Sequence, residues 1–278
     1  MSPSNEPSPD PAWRVVGAAV RGSAHERMGQ PCQDALAYWV TPGGAVLIFV
    51  ADGAGTAERA EQGAQTAVRE ALEALDAGLA QGSPQDEAGW RALVEESFYQ
   101  ARQALEQLAA AESLPLKSFA TTLACGVALD GWLVTGQVGD GAVIAGAEQG
   151  ELFAAALPQR GEYANETYFL TLPDALERLE VQVSSQPIAA LALLSDGLTR
   201  LALQLPAYKP HPPFFAPLLS FASRAQDQDR AEEQLAAFLV SERVCARTDD
   251  DKTLVLAVRP GVQFHPEPGY PGELIEPD

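Results

Sequence analysis

Positive charge is what this chain has least of. Eighteen Lys and Arg face 38 Asp and Glu in 278 residues, a formal net charge of −20, and the isoelectric point is near 4.4. Nucleic-acid affinity rests on Lys and Arg displacing counterions from phosphates, so that partner is excluded as a default, and an anionic membrane surface with it. Cysteine and histidine are equally sparse, three of each. Cys32, Cys125 and Cys245 are far apart and make no CxxC pair, which excludes a disulfide framework and a thiolate zinc site. Each is expected to be a small buried apolar residue. His25, His211 and His265 form no HExxH pattern, so a metal here would have to be held by oxygen. Long apolar runs are missing as well: Ala45–Ala51 and Ile188–Leu194 are too short to span a bilayer. The opening MSPSNEPSPD has neither the basic nor the apolar region of a secretory signal. A cytoplasmic protein is expected.

What is present is an ordinary globular composition, 46% hydrophobic and 20% charged, with length enough to bury a sizeable core. Residues 1–12 and 260–278 are broken every few positions by Pro or Gly and read as tails. One domain is expected over 13–259. Apolar strands are predicted at Trp13–Val20, Ala35–Val40 and Ala45–Ala51. Spacings of three and four among Ala60, Ala64, Ala67, Ala71, Leu75 and Leu79, and again from Trp90 to Leu108, predict two long helices. Strands follow at Phe119–Leu129, Trp132–Val138 and Ala142–Ala147, with Asp130-Gly131 and Asp140-Gly141 both suited to hairpins. Later strands are expected at Glu166–Thr171, Leu179–Val183, Ile188–Leu194 and Thr253–Arg259, with helical stretches at Leu198–Leu205, Pro213–Ala222 and Ala231–Val240. Strand groups separated by helix pairs, without strict βα alternation, indicate an α+β fold of antiparallel sheets covered by helices.

The chemistry-bearing pattern is an aspartate that closes an apolar strand and precedes glycine. It occurs at Asp52-Gly53, Asp140-Gly141 and Asp196-Gly197, and a further acidic run, Asp249-Asp250-Asp251, precedes the last strand. Asp-Gly is first of all a turn signal, and Asp140-Gly141 fits a hairpin. The other two lead into helical patterns, so a two-residue hairpin is excluded there and helix capping stays open. Several carboxylates converging without His or Cys would select a hard cation such as magnesium or manganese. Two such ions suit phosphate ester hydrolysis: they lower the pKa of water and neutralise charge on phosphoryl oxygens.

Six segments together resemble the metal-dependent Ser/Thr protein phosphatases of type 2C, the PPM phosphatases. They are CQDA from Cys32, VADGAGTAERAEQGA from Val50, SFATTLACGVA from Ser118, QVGDGAV from Gln137, LLSDGL from Leu193 and DDKTLVLAV from Asp250, in the family's order. The segments Gly22–His25 and Gly161–Thr167 are similar to a bacterial branch. The resemblance implies a four-layer αββα sandwich and hydrolysis of phosphoserine and phosphothreonine with two Mn²⁺ or Mg²⁺ ions. It implies that Asp52 bridges the ions, that the Gly53 carbonyl completes the second site, and that Asp196 and Asp250 bind the first. Asp34 would act at the second ion through water, and Asp140 with Asp196 matches a position that holds a third. Thr121 and Thr122 would support strand ends, and Asp249 would be solvated. The segment Leu157–Thr171 falls at the family's variable flap, where Glu162, Tyr163, Asn165 and Glu166 could meet substrate. A phosphorylated protein substrate, an opposing Ser/Thr kinase and a monomer are the implied partners and state. Two positions depart from the family: Gly29 stands where it has a phosphate-binding Arg, and Ala54 where it has a His. Arg27 or Arg21 could take the place of the Arg, and His25 or a metal-held water that of the His; Arg27 and His25 are the candidates for substrate binding. The same departures keep a catalytically silent regulator of this fold as the alternative.

Overall fold

Alternation and helical period divide the chain as the residues suggest, and they do so around two sheets. The computed structural model describes residues 13–129, 131–159, 167–262 and 264. The first sheet holds β1 (Arg14–Val20), β12 (Lys252–Val258), β9 (Ile188–Leu194), β6 (Ala142–Ala147) and β7 (Leu152–Ala156), in that order. The second holds β2 (Asp34–Val40), β3 (Val46–Asp52), β4 (Leu123–Leu129), β5 (Trp132–Val138) and β8 (Glu180–Ser185). All their pairings are antiparallel. A two-stranded ribbon, β10 (Leu203–Gln204) with β11 (Lys209–Pro210), lies apart.

Both faces of each sheet are covered, which is why the central strands are apolar throughout rather than alternating. Between the sheets, Val15, Val46, Ile48 and Val50 meet Val143, Leu191, Leu193 and Val255. Outside the second sheet pack α2 (Ala60–Gln81) and α3 (Glu87–Glu112), through Ala64, Ala67, Ala71, Leu75, Trp90, Val94 and Phe98. The small residues of α2 let it approach closely: a Cβ on Gly63 would meet the Phe119 carbonyl oxygen at 2.3 Å. Outside the first sheet lie α5 (Pro212–Arg224) and α6 (Gln228–Leu239), packed through Phe215, Leu218, Leu219 and Leu235. The result is the expected four-layer αββα arrangement. Asp86 and Asp227 start α3 and α6 by accepting from the Gly89 and Arg230 amides at 2.8 and 3.1 Å.

The structure corrects the sequence reading at several points. Asp140-Gly141 is no hairpin, because β5 and β6 belong to different sheets. Asp-Gly makes a tight turn in either case, and nothing local tells the strand which sheet to join. Residues 167–171 are irregular or turn instead of strand, held by the Leu170 amide donating to Thr121 O and by Arg102 of α3 binding Leu170 O at 2.8 Å. The helix expected at Leu198–Leu205 is shorter, a 3₁₀ turn at Asp196–Leu198 and α4 (Thr199–Ala202), before β10 takes over. Two short helices, α1 (Ser23–Met28) and α7 (Glu242–Cys245), and the strand β7 have too few residues to show a period and were not anticipated. Only Cys125 is fully buried; Cys32 and Cys245 are half-buried. Phe264 is buried against Gly146, so the packed body reaches past the boundary expected at Arg259.

Candidate metal centre

Antiparallel register brings the acidic strand ends to one rim. Asp34 opens β2 and Asp52 closes β3, and the two are direct partners across the pair. Leu194, which precedes Ser195-Asp196, pairs with both Ala142 of β6 and Leu254 of β12. Alternate strands of both sheets thus point their ends at the same place, and rigid strand termini hold side chains there more firmly than loops could.

Carboxylate oxygens of Asp52, Asp140 and Asp196 all lie within 4.8 Å of one another. Each is braced differently. The Asp52 amide donates to Thr122 Oγ1 at 2.9 Å, while Thr121 Oγ1 and the Thr122 amide donate to the Asp52 carbonyl at 3.0 and 2.8 Å. The two threonines therefore do support the strand end. Asp140 sits on the crossover between the sheets, where Gly139 adopts φ +124° and a Cβ would come within 2.5 Å of Thr122. Two glutamines staple this turn. The buried Gln137 amide donates to the carbonyls of Gly139, Gly141 and Leu157 at 2.9, 3.0 and 3.0 Å. Gln159 Oε1 accepts from the Gly139 amide at 2.8 Å, and its nitrogen reaches Arg178 O at 2.8 Å. Thr167 Oγ1 donates to Asp140 Oδ2 at 2.7 Å, and Asp140 Oδ1 is buried with no partner.

Asp34 and Asp250 flank this trio. Asp34 is buried, and its Oδ2 accepts from Ser195 Oγ and Thr253 Oγ1 at 2.7 and 2.8 Å. Asp250 is exposed, its Oδ1 accepting from the Asp251 amide at 2.9 Å, and the fully buried Lys252 ammonium donates to its carbonyl at 3.0 Å. Burial and mutual repulsion make the cluster hold protons. Desolvation pushes Asp34 up to about 7, further raised by the charges of Asp251 and Asp196 and opposed by its two hydroxyl donors. Desolvation, then the charge of Asp140, lifts Asp196 to about 6, with Asp250 adding to it. Asp52 is raised well above the ordinary carboxylate range by burial and by Asp34 and Asp196. Asp140 is raised by burial. Carboxylates forced together with an unpartnered oxygen among them are what a bound cation would relieve. Every side-chain donor in the trio is oxygen, the chemistry of a hard divalent ion.

The expected substrate residues lie on and beside α1. Arg27 is exposed and already engaged, with Ser23 Oγ at 3.2 Å and with Asp249, itself exposed, at 3.1 Å. Gly29 takes φ +66° and ends α1. His25 is buried, its Nδ1 2.9 Å from Asp251 Oδ2. The four flap residues singled out, Glu162, Tyr163, Asn165 and Glu166, lie outside the described residues. Sequence reasoning missed the role of Asp251. It is 2% exposed, and its two oxygens accept the Gly22 and Gln33 amides at 2.6 Å each. A run of three aspartates does not say which one turns inward. The partners sit more than two hundred positions away, so only the motif Gly22–His25 hinted at the connection.

This combination of fold and acidic rim has relatives. The chain matches protein phosphatase 2C over residues 21–240. It belongs to that family. The serine/threonine-protein phosphatase 3 of Escherichia coli K12 is 39% identical over 255 residues, covering 89% of this chain and 98% of that protein. Among solved structures, the Streptococcus agalactiae serine/threonine phosphatase superposes with a TM-score of 0.60 at 15% identity, covering 89% of this chain and 99% of the other. A serine/threonine phosphatase of Staphylococcus aureus gives 0.59 at 13% identity, with 89% and 95% covered. At such low identity these two structures speak for the 2C fold alone. Among the described residues of this 2C phosphatase, no helix is long and apolar enough to cross a membrane.

Proposed function

We propose that the chain hydrolyses phosphoserine and phosphothreonine in proteins with Mn²⁺ or Mg²⁺ as cofactor. The observation that carries this is the meeting of Asp52, Asp140 and Asp196 within 4.8 Å at the strand ends of a protein phosphatase 2C fold. Asp52, Asp196 and Asp250 would hold two divalent ions, with the Gly53 carbonyl and, through water, Asp34 completing the second. Asp140 with Asp196 would offer a third position. Such ions, when bound, supply an acidified water and neutralise charge on phosphoryl oxygens. The chain's own residues hold the geometry. Thr121 and Thr122 fix the end of β3, Gln137 and Gln159 fix the turn of Asp140, and Ser195 with Thr253 orient Asp34.

Arg27 and His25 are the proposed substrate contacts. Arg27 would have to leave Asp249 to grip a phosphate, and as an exposed pair that exchange costs little. The departures at Gly29 and Ala54 remove no carboxylate from the rim, which favours the active reading over a silent regulator. A phosphorylated protein is the substrate class, a Ser/Thr kinase the opposing partner, and the reading includes a cytoplasmic monomer. The test compares purified protein with Asp52→Asn, in Mn²⁺, on a phosphothreonine peptide. Loss of at least ~100-fold, the order expected when several kcal/mol of charge stabilisation is removed, supports the reading. Equal rates for the two proteins would overturn it.

A further inference from the structure

Of the Lys and Arg side chains among the described residues, only that of Lys252 is buried, and it is 0% exposed. It opens β12, a strand buried at every position, opposite Val20 of β1. Alternation puts it on the face of Leu254, Leu256 and Val258, which pack into the apolar core under α5 and α6. A Leu or Met would fill that place without desolvating a charge, and burying an ammonium is costly unless something compensates it. Packing therefore does not account for a lysine here, whereas the acidic rim does. The ammonium donates to the Asp250 carbonyl at 3.0 Å and not to a carboxylate. It neutralises no single acid in an ion pair, and its charge acts on the site as a whole.

Asp250 connects that charge to the centre. A Cβ on Gly197, the residue after Asp196, would lie 3.5 Å from the Asp250 Cβ, and the charge of Asp250 is felt at both Asp140 and Asp196. The ammonium is thus fixed directly behind a carboxylate proposed above as an ion ligand. A charge so placed acts with opposite sign on the two kinds of ligand such a centre takes. It repels a divalent cation and attracts a phosphate dianion, and burial keeps both effects from being screened away. We propose that Lys252 is a permanent cation of the site, which loosens the divalent ion at Asp250 and strengthens binding of the phosphoryl group. The ion at Asp250 is then readily exchanged, and an internal lysine supplies positive charge where Gly29 has none. The phosphate half of this assignment rests on the phosphatase reading; the cation half needs only the carboxylate rim.

Two substitutions separate charge from bracing. Lys252→Met keeps the length of the side chain and removes both charge and donor. Lys252→Gln removes the charge but keeps a donor for the Asp250 carbonyl. Calorimetry at about pH 8, above the values to which burial raises Asp34 and Asp196, measures Mn²⁺ affinity and then, with Mn²⁺ saturating, the affinity for inorganic phosphate. Both variants are expected to bind Mn²⁺ at the weaker site about 10-fold more tightly, and phosphate about 10-fold more weakly, than wild type, the order expected when a unit charge leaves a partly buried site. A merely structural lysine would shift the two affinities together or not at all. Unchanged affinity for either ligand, or weaker Mn²⁺ binding, would overturn the assignment; weaker binding confined to Lys252→Met would make the residue a brace instead. Failure of both variants to fold, read from thermal unfolding in EDTA, would also count against it, because the fold itself would then need the ammonium. Wild-type protein that binds Mn²⁺ but leaves a phosphothreonine peptide intact would sink the phosphatase reading and not the cation half.

Discussion

Ser195, just past the end of β9 in the first sheet, donates a 2.7 Å hydrogen bond to Asp34 of β2 in the second. The same hydroxyl oxygen accepts the Thr253 amide at 3.0 Å, so one small side chain ties β9, β12 and β2 together at the rim. Thr253 Oγ1 of β12 donates to the same Asp34 oxygen at 2.8 Å, whereas the apolar contacts between the sheets do not fix register at the level of a single carboxylate. These two bonds do.

Ser195→Ala should therefore destabilise the protein by about 2 kcal/mol, the usual cost of leaving a buried charged acceptor and a backbone donor short of partners. Urea unfolding at neutral pH measures it. A midpoint within error of wild type would show that Asp34 finds another donor.

The acidic rim makes a pH prediction for protein stripped of divalent ions. Asp34 and Asp196 titrate near 7 and 6 in the folded chain, against an ordinary carboxylate value of 3.8. Between about pH 4 and those values the folded state holds protons that the unfolded state has released, so stability falls as pH rises through that window. Thermal unfolding in EDTA from pH 4.5 to 7.5 should show a declining contribution from these groups. Added Mn²⁺ should recover stability most at the upper end, where the carboxylates are ionised. A larger gain at the lower end would contradict this account of the cluster.

Gln137→Leu keeps the volume and removes the donors that hold the turn of Asp140. Buried carbonyls of Gly139 and Gly141 lose their partner, for a cost of about 1–3 kcal/mol. Because Asp140 is carried by that turn, Mn²⁺ binding followed by calorimetry should weaken as well. Unchanged affinity would mean that the turn is held by Gln159 alone.

Gly22→Ala tests the seam between α1 and the acidic run. A Cβ there would meet the Asp250 carbonyl carbon at 2.2 Å and the Asp249 oxygen at 2.5 Å, both backbone atoms. Gly22 has φ −76°, a value any residue adopts, so the whole effect is overpacking. A loss of about 1–3 kcal/mol is expected, with a fall in cation affinity as Asp250 is displaced. A neutral result in thermal unfolding and calorimetry would show the seam to be pliable.

Much of this architecture was legible from residues close in sequence. The long helices α2 and α3 follow from a period that repeats over many turns, and β3, β9 and β12 from apolar runs too short for helices. The aspartates that end strands were visible for the same reason: a polar residue at the limit of an apolar run marks a rim. Six-residue α1 could not be read, since so short a segment shows no period. Asp251 could not be told from Asp249 and Asp250, because its burial is set by amides at Gly22 and Gln33.

What the sequence by itself determined is therefore most of the elements and the chemistry at their ends: carboxylates, no thiolates, and a histidine at position 25. Local spacing is enough for that, since hydrophobic period and turn residues act over a few neighbours. Only the tertiary structure decided that β5 and β6 part to different sheets, that Asp52, Asp140 and Asp196 share one site, and that Asp251 stands behind His25. Those outcomes depend on contacts between residues tens to hundreds of positions apart, where packing of two sheets against each other selects the partner.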